Sequence, residues 1–75
     1  MSTTTVPPHV RLANDVTVQF AHRPPEVAAA AVATHLRDFW EPRMTRALLA
    51  HVAAGGEGLD PVAVRAAELL RPEAG

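Results

Sequence analysis

Four histidines, His9, His22, His35 and His51, are the side chains of this 75-residue sequence best suited to hold a metal, because three or four imidazoles can bind zinc without any thiolate. Their spacing argues against it. Helical metal motifs place ligands three or four residues apart, as in HExxH, whereas these histidines are 13, 13 and 16 residues apart. Convergence would rest entirely on tertiary packing. The expectation is therefore a structural role: His35 and His51 flank apolar stripes and hydrogen-bond across helix contacts, and His9 and His22 sit at helix ends. At a C-terminal end, His22 would also complement the helix dipole.

Other chemistries fare no better. The sequence has no cysteine and no tyrosine. Its serine and threonines fall mostly in the N-terminal stretch or on expected helix surfaces, and its acids lie at helix starts or among arginines, where capping and solvation account for them. Gly55-Gly56-Glu57-Gly58 follows a helix rather than a strand and lacks the lysine and hydroxyl of a phosphate-binding loop, so it reads as a helix stop and turn. No catalytic, cofactor-binding or metal-binding residue is expected.

Charge and composition narrow the choice of partner. Seven arginines, no lysine and eight acids leave a formal charge of −1, which offers no net basic field to a phosphate backbone. A DNA-binding helix after Pro42 would carry only Arg43 and Arg46 before turning apolar. Nucleic acid is not an expected partner. The N-terminal residues resemble no signal peptide, and no apolar run approaches the ~20 residues that span a bilayer, which predicts a cytoplasmic protein without membrane contact. A chain this short buries only about 60% of its unfolded surface. With disulfides excluded, association with a larger partner or with a second copy is the expected means of support.

Prolines set the architecture, since proline is tolerated in the first turn of a helix and breaks it further in. Pro7-Pro8, Pro24-Pro25, Pro42 and Pro61 predict four helix starts. A first helix over residues 9–22 carries Leu12, Val16 and Phe20 at four-residue spacing. A second, over 25–39, opens on Glu26 and aligns Ala28, Val32, Leu36 and Phe39, with an alanine run that favours helix and permits close packing. A third, over 42–54, presents Met44, Ala47 and Leu48, with Leu49 and Val52 widening the stripe, and stops at Gly55-Gly56. The last begins at Asp60-Pro61, an N-cap acid followed by a first-turn proline, and carries Val62, Ala66, Leu69 and Leu70. The expected fold is all-α: a small compact bundle of three main helices plus a shorter fourth, over residues 8–71, with flexible tails at 1–7 and 72–75. Its core is assigned to Leu12, Val16, Phe20, Val32, Leu36, Phe39, Met44, Leu48, Val52, Leu59 and Leu69.

The most loaded stretch is His35-Leu36-Arg37-Asp38-Phe39-Trp40-Glu41-Pro42-Arg43-Met44. Adjacent helical residues are rotated by about 100°, so Phe39 and Trp40 cannot both enter one face. Either the two wrap around the corner and seal a small core, or one looks outward and, with Arg37, Arg43 and Met44, anchors a partner, as Trp, Met and Arg do at binding hot spots. With Phe39 assigned to the core, Trp40 is the expected anchor.

This stretch is similar to the HLRRFWDPRM-type signature of the NAD-dependent formate dehydrogenase delta subunit family. Val10-Arg11-Leu12-Ala13-Asn14-Asp15-Val16 with Phe20 resembles that family's opening VRMANQI…F helix, and Ala47-Leu48-Leu49-Ala50-His51 and Gly55 to Pro61 resemble its ALLAH and GGxGLxP elements. Departures are mild: Glu41 stands where aspartate is usual, Leu12 replaces methionine, and Ala21 replaces a second aromatic. The resemblance implies an accessory subunit of a multi-subunit enzyme that oxidises formate to carbon dioxide. Its companions would carry a molybdenum or tungsten pterin cofactor, iron–sulfur clusters, FMN and the NAD site. The chain would stabilise the complex permanently or act as a transient assembly factor on the large catalytic subunit, the remaining alternative being an unrelated small helical homodimeric interaction module; a homodimer is possible for the isolated chain. Candidate interface residues are Asn14, His35, Arg37, Phe39, Trp40, Pro42, Arg43 and Met44.

Overall fold

The computed structural model describes residues 7–71, and within them the chain forms four α-helices and no strand. The expected tails at 1–6 and 72–75 lie outside the described residues. Helix α1 spans Pro8–Gln19, α2 Pro25–Phe39, α3 Pro42–Ala53 and α4 Pro61–Leu70. Each has proline in its first turn, where the missing amide hydrogen would have had no helical partner. Pro7, assigned to the tail, is half-buried and starts the first ladder: its carbonyl accepts from the Val10 and Arg11 amides at 3.0 and 3.1 Å.

Helix α1 ends three residues short of the expected boundary. The Phe20 and Ala21 amides bond the Thr17 and Val18 carbonyls at 3.0 and 3.2 Å, tightening the exit into a turn. Arg23 cannot continue a helix into Pro24-Pro25; its guanidinium lies 5.4 Å from the centre of the Phe20 ring and folds the turn back on itself. His22 consequently stands exposed beyond the helix rather than in its last turn. Helix α3 ends as the glycines predict. The Gly56 amide reaches the His51 carbonyl at 2.9 Å and the Gly55 amide the Val52 carbonyl at 3.0 Å, with Gly55 at φ +125° and Gly56 at φ +66°. These are the two bonds of a Schellman stop, and only glycine takes up such φ values freely. Asp60 caps α4, its carboxylate accepting from the Val62 amide at 2.8 Å.

The buried face is built from small residues. Among the described residues, seven of the twelve buried hydrophobic residues are alanine: Ala13, Ala28, Ala29, Ala33, Ala63, Ala66 and Ala67. Helices α2 and α4 form the most extensive contact in the fold, and alanine is what lets them approach so closely. Their first turns lie together around a shallow depression lined by Pro25, Glu26, Pro61, Val62 and Arg65. Leu36, Leu48, Val10 and Val32 are the largest fully buried side chains. Thr17, expected on a surface, is buried among them, with its hydroxyl satisfied by the Ala13 carbonyl at 2.9 Å.

Of the expected core, Val16, Val32, Leu36 and Leu48 are buried. Phe20, Val52 and Leu59 pack against it half-buried, and Met44 is half-buried too. Three assignments are corrected: Leu12 is 41% exposed, Leu69 42% and Phe39 74%. The buried face of α1 runs through Val10, Ala13, Val16 and Thr17, leaving Leu12 at its margin. On α4, Leu70 continues the face of Ala63, Ala66 and Ala67, and Leu69 is turned about 100° from it. On α2, the residue four beyond the buried Leu36 is Trp40, not Phe39.

Candidate functional site

The α2–α3 corner is set by backbone chemistry. The Trp40 amide makes the last bond of α2, to the Leu36 carbonyl at 2.9 Å. Trp40 and Glu41 are both extended, with ψ of 145° and 146°; for Glu41 the cause is Pro42, which excludes the helical region for the residue before it. No side chain caps α3: Glu41 contributes only its carbonyl, which accepts from the Thr45 amide at 3.1 Å and lies 3.4 Å from the Thr45 hydroxyl. Its extra methylene carries the carboxylate past the geometry an aspartate would use.

At this pivot Trp40 turns inward and packs half-buried on the core, whereas Phe39, the last helical residue, turns outward. The expected roles of the two aromatics are thus exchanged. The Phe39 ring rests on His35, one turn earlier, with ring centres 4.8 Å apart and planes inclined at 39°. His35 therefore stacks within its own helix instead of hydrogen-bonding across a helix contact. Pro42 and Arg43 are exposed at the start of α3, and Met44 is half-buried behind them. Arg37 is exposed but does not join Phe39: two residues apart on a helix, they are rotated by about 160°.

Asn14 belongs to a different place. Its side-chain amide donates to the Gly58 carbonyl at 2.9 Å and its oxygen accepts from the Asp60 amide at 2.9 Å, so it fastens the α3–α4 loop to α1. Both ends of the amide are engaged within the fold. The loop is held a second time by His51, whose Nε2 lies 2.7 Å from the Glu57 carbonyl oxygen.

One juxtaposition had no signal in the sequence. His9 and His51, 42 positions apart, meet edge to face with ring centres 5.8 Å apart. Only the packing of the start of α1 against the end of α3 brings them together. Among the described residues, no three histidine, cysteine, aspartate or glutamate side chains gather as a metal-binding group. The ion pairs among these residues all involve Arg65, with Glu26 and Glu68 at 3.4 Å, and both are solvent-exposed. Such pairs contribute little to stability.

Fold and site define a class: a small all-α module, folded around alanine, that holds an aromatic side chain in water at a proline-fixed corner. The chain belongs to the NADH-dependent formate dehydrogenase delta subunit family (FdsD), whose model matches residues 10–67 and so takes in most of α1, the corner and most of α4. No curated protein and no solved structure matches the chain.

Proposed function

We propose that this chain is a non-catalytic accessory subunit that docks through its α2–α3 corner on the large catalytic subunit of a cytoplasmic formate dehydrogenase and stabilises the assembled enzyme. The observation that carries the reading is Phe39, three-quarters exposed at the end of a helix and braced by His35. A large aromatic ring costs free energy in water and loses little side-chain entropy on docking, which is why such residues dominate interfaces. Pro42 and Arg43 extend the contact along the first turn of α3. In this reading formate oxidation belongs to companion subunits with their pterin cofactor, iron–sulfur clusters, FMN and NAD site. The cysteine-free sequence supports it, since the chain has no thiolate to give an iron–sulfur cluster. No helix among the described residues is long and apolar enough to cross a membrane.

The test is a tagged pull-down from the native host, analysed by mass spectrometry and assayed for formate-dependent NAD reduction. Stoichiometric recovery of the large subunits with activity is expected. Recovery of inactive, cofactor-free large subunit alone would replace a permanent subunit with an assembly factor, and recovery of neither would sink both.

A further inference from the structure

We propose that the outer face of α3 is the steering half of the docking surface: Arg43 and Arg46 take two carboxylates, spaced one helical turn apart, on an acidic surface of the subunit that receives Phe39. This rests on the α2–α3 corner being the docking site and adds the chemistry of the partner.

The argument begins with where charge stands on the helices. Helix α3 contains two arginines and one histidine but no acid. Arg43 is its second residue, close to the positive end of the helix dipole, where a cation is disfavoured and an acid is favoured. Helix α2 has the favourable choice at the same position: it opens with Pro25-Glu26 where α3 opens with Pro42-Arg43. Arg46 follows one turn later, so the two guanidinium groups repel across an i, i+3 pair. The other positions three or four residues from them, Phe39, Trp40, Pro42, Ala47, Leu49 and Ala50, carry no charge that could relieve the pair. Both arginines are exposed, and among the described residues neither forms an ion pair, with Glu41 or any other acid, because those pairs all involve Arg65. This face works against its own helix, and such local conflicts are expected where a surface serves a contact outside the chain.

The spacing describes the partner. Side chains three apart on a helix have Cβ atoms about 5–6 Å apart, which is also the separation of two acids at i and i+3 or i+4 on a facing helix. Each planar guanidinium can hold a carboxylate through two parallel hydrogen bonds. Farther along the same face stand Ala50 and Ala53, both exposed, so no bulky side chain keeps a partner's backbone away. Phe39, exposed at the adjoining end of α2, supplies the apolar anchor, and charges beside such an anchor act mainly on the rate and orientation of encounter. A phosphate backbone fits less well, because the formal charge of −1 gives the chain no net attraction for a polyanion.

The test measures association and dissociation rates of the full chain with formate dehydrogenase lacking it, at about 0.05 M and about 0.5 M salt. Wild-type association is expected to slow about tenfold or more at the higher salt, with little change in dissociation. Arg43→Glu and Arg46→Glu should each slow association roughly threefold or more, and the double variant should lose most of the salt dependence. Arg23→Glu makes the same charge change at the far end of α2 and should stay within about twofold of wild type. Fold damage is read separately: Arg43→Glu puts an acid in the first turn of α3, so the urea midpoint of the free chain should be equal or higher, and Arg46→Glu decides alone if it falls. Phe39→Ala should instead quicken dissociation and keep the salt dependence. Association that ignores salt, or charge-reversed variants that bind like wild type, would overturn the acidic partner and leave the corner as the docking site. A wild-type chain that binds the enzyme at neither salt would remove the docking reading itself, and this inference with it.

Discussion

At the scale of single residues, the two adjacent aromatics separate folding from docking. Trp40 packs on the core cluster, and Phe39 touches little of its own chain beyond His35. Truncating Trp40 to alanine should therefore cost about 2 kcal/mol, below the ~3–5 kcal/mol of a fully buried aromatic because the ring is only half-buried. Truncating Phe39 should leave stability within ~0.5 kcal/mol and weaken capture of the partner by at least tenfold. Urea denaturation and the pull-down, run on both variants, would read the two effects apart; a stable Trp40→Ala protein that has lost its partner would restore the roles expected from the sequence. The sequence showed that the pair cannot both enter one helix face, because neighbours on a helix diverge by about 100°, but it did not show whether both seal the corner or which of them turns outward. That choice follows from the stripe ending at Leu36, whose next-turn neighbour is Trp40, and from the extended Trp40-Glu41 corner. Asn14 and the meeting of His9 with His51 were illegible for another reason. Their partners, the 57–60 loop and each other, lie more than 40 residues away, and no local pattern encodes such contacts.

At the scale of elements, the helix starts were legible almost to the residue because backbone rules fix them, whereas the end of α1 was placed three residues too far. Pro25, Pro42 and Pro61 are the first helical residues of α2, α3 and α4, and the glycine stop closes α3 as expected. Side-chain chemistry at those ends is uneven, and this yields a stabilising substitution. Asp60 bonds the Val62 amide, whereas Glu41, in the equivalent place before α3, caps nothing. Glu41→Asp should add ~0.5–1 kcal/mol and raise the urea midpoint, and Asp60→Ala should remove about as much. An unchanged midpoint in Glu41→Asp would mean that the extended corner withholds the side chain from the helix amides. The core was harder to read than the helix ends. Large hydrophobes at helical spacing drew the assignment, but the buried faces of α2 and α4 are mostly alanine, whose small buried area gives a weak signal in a hydrophobic pattern. Close approach makes their contact intolerant of bulk. Ala66→Leu should cost about 1–3 kcal/mol through overpacking, although leucine is the more hydrophobic residue and nearly as good a helix former. A neutral result in the same urea titration would show space between α2 and α4 that the buried alanines do not leave.

At the scale of the whole molecule, an alanine core has a thermodynamic consequence. Hydrophobic stabilisation scales with the apolar area removed from water, and a methyl group contributes a fraction of what leucine or phenylalanine does. Among the described residues only Leu36, Leu48, Val10 and Val32 are both sizeable and fully buried, while Phe39, Leu12, Leu69, Val18 and Val27 keep much of their surface in water. Exposed ion pairs at Arg65 do not make up the difference. The free chain should therefore be marginally stable, and a partner that binds only the folded form must raise its stability by mass action. At a partner concentration a hundredfold above Kd this is about 2.7 kcal/mol. For a domain of this size each kcal/mol moves Tm by about 4–8 °C, so the transition should rise by roughly 10–20 °C. Differential scanning calorimetry of the purified chain, alone and with the large catalytic subunit, measures this directly. A high Tm for the free chain that the subunit does not move would show that the alanine-packed helices suffice by themselves, and would break the link drawn between a thin core and an obligatory partner.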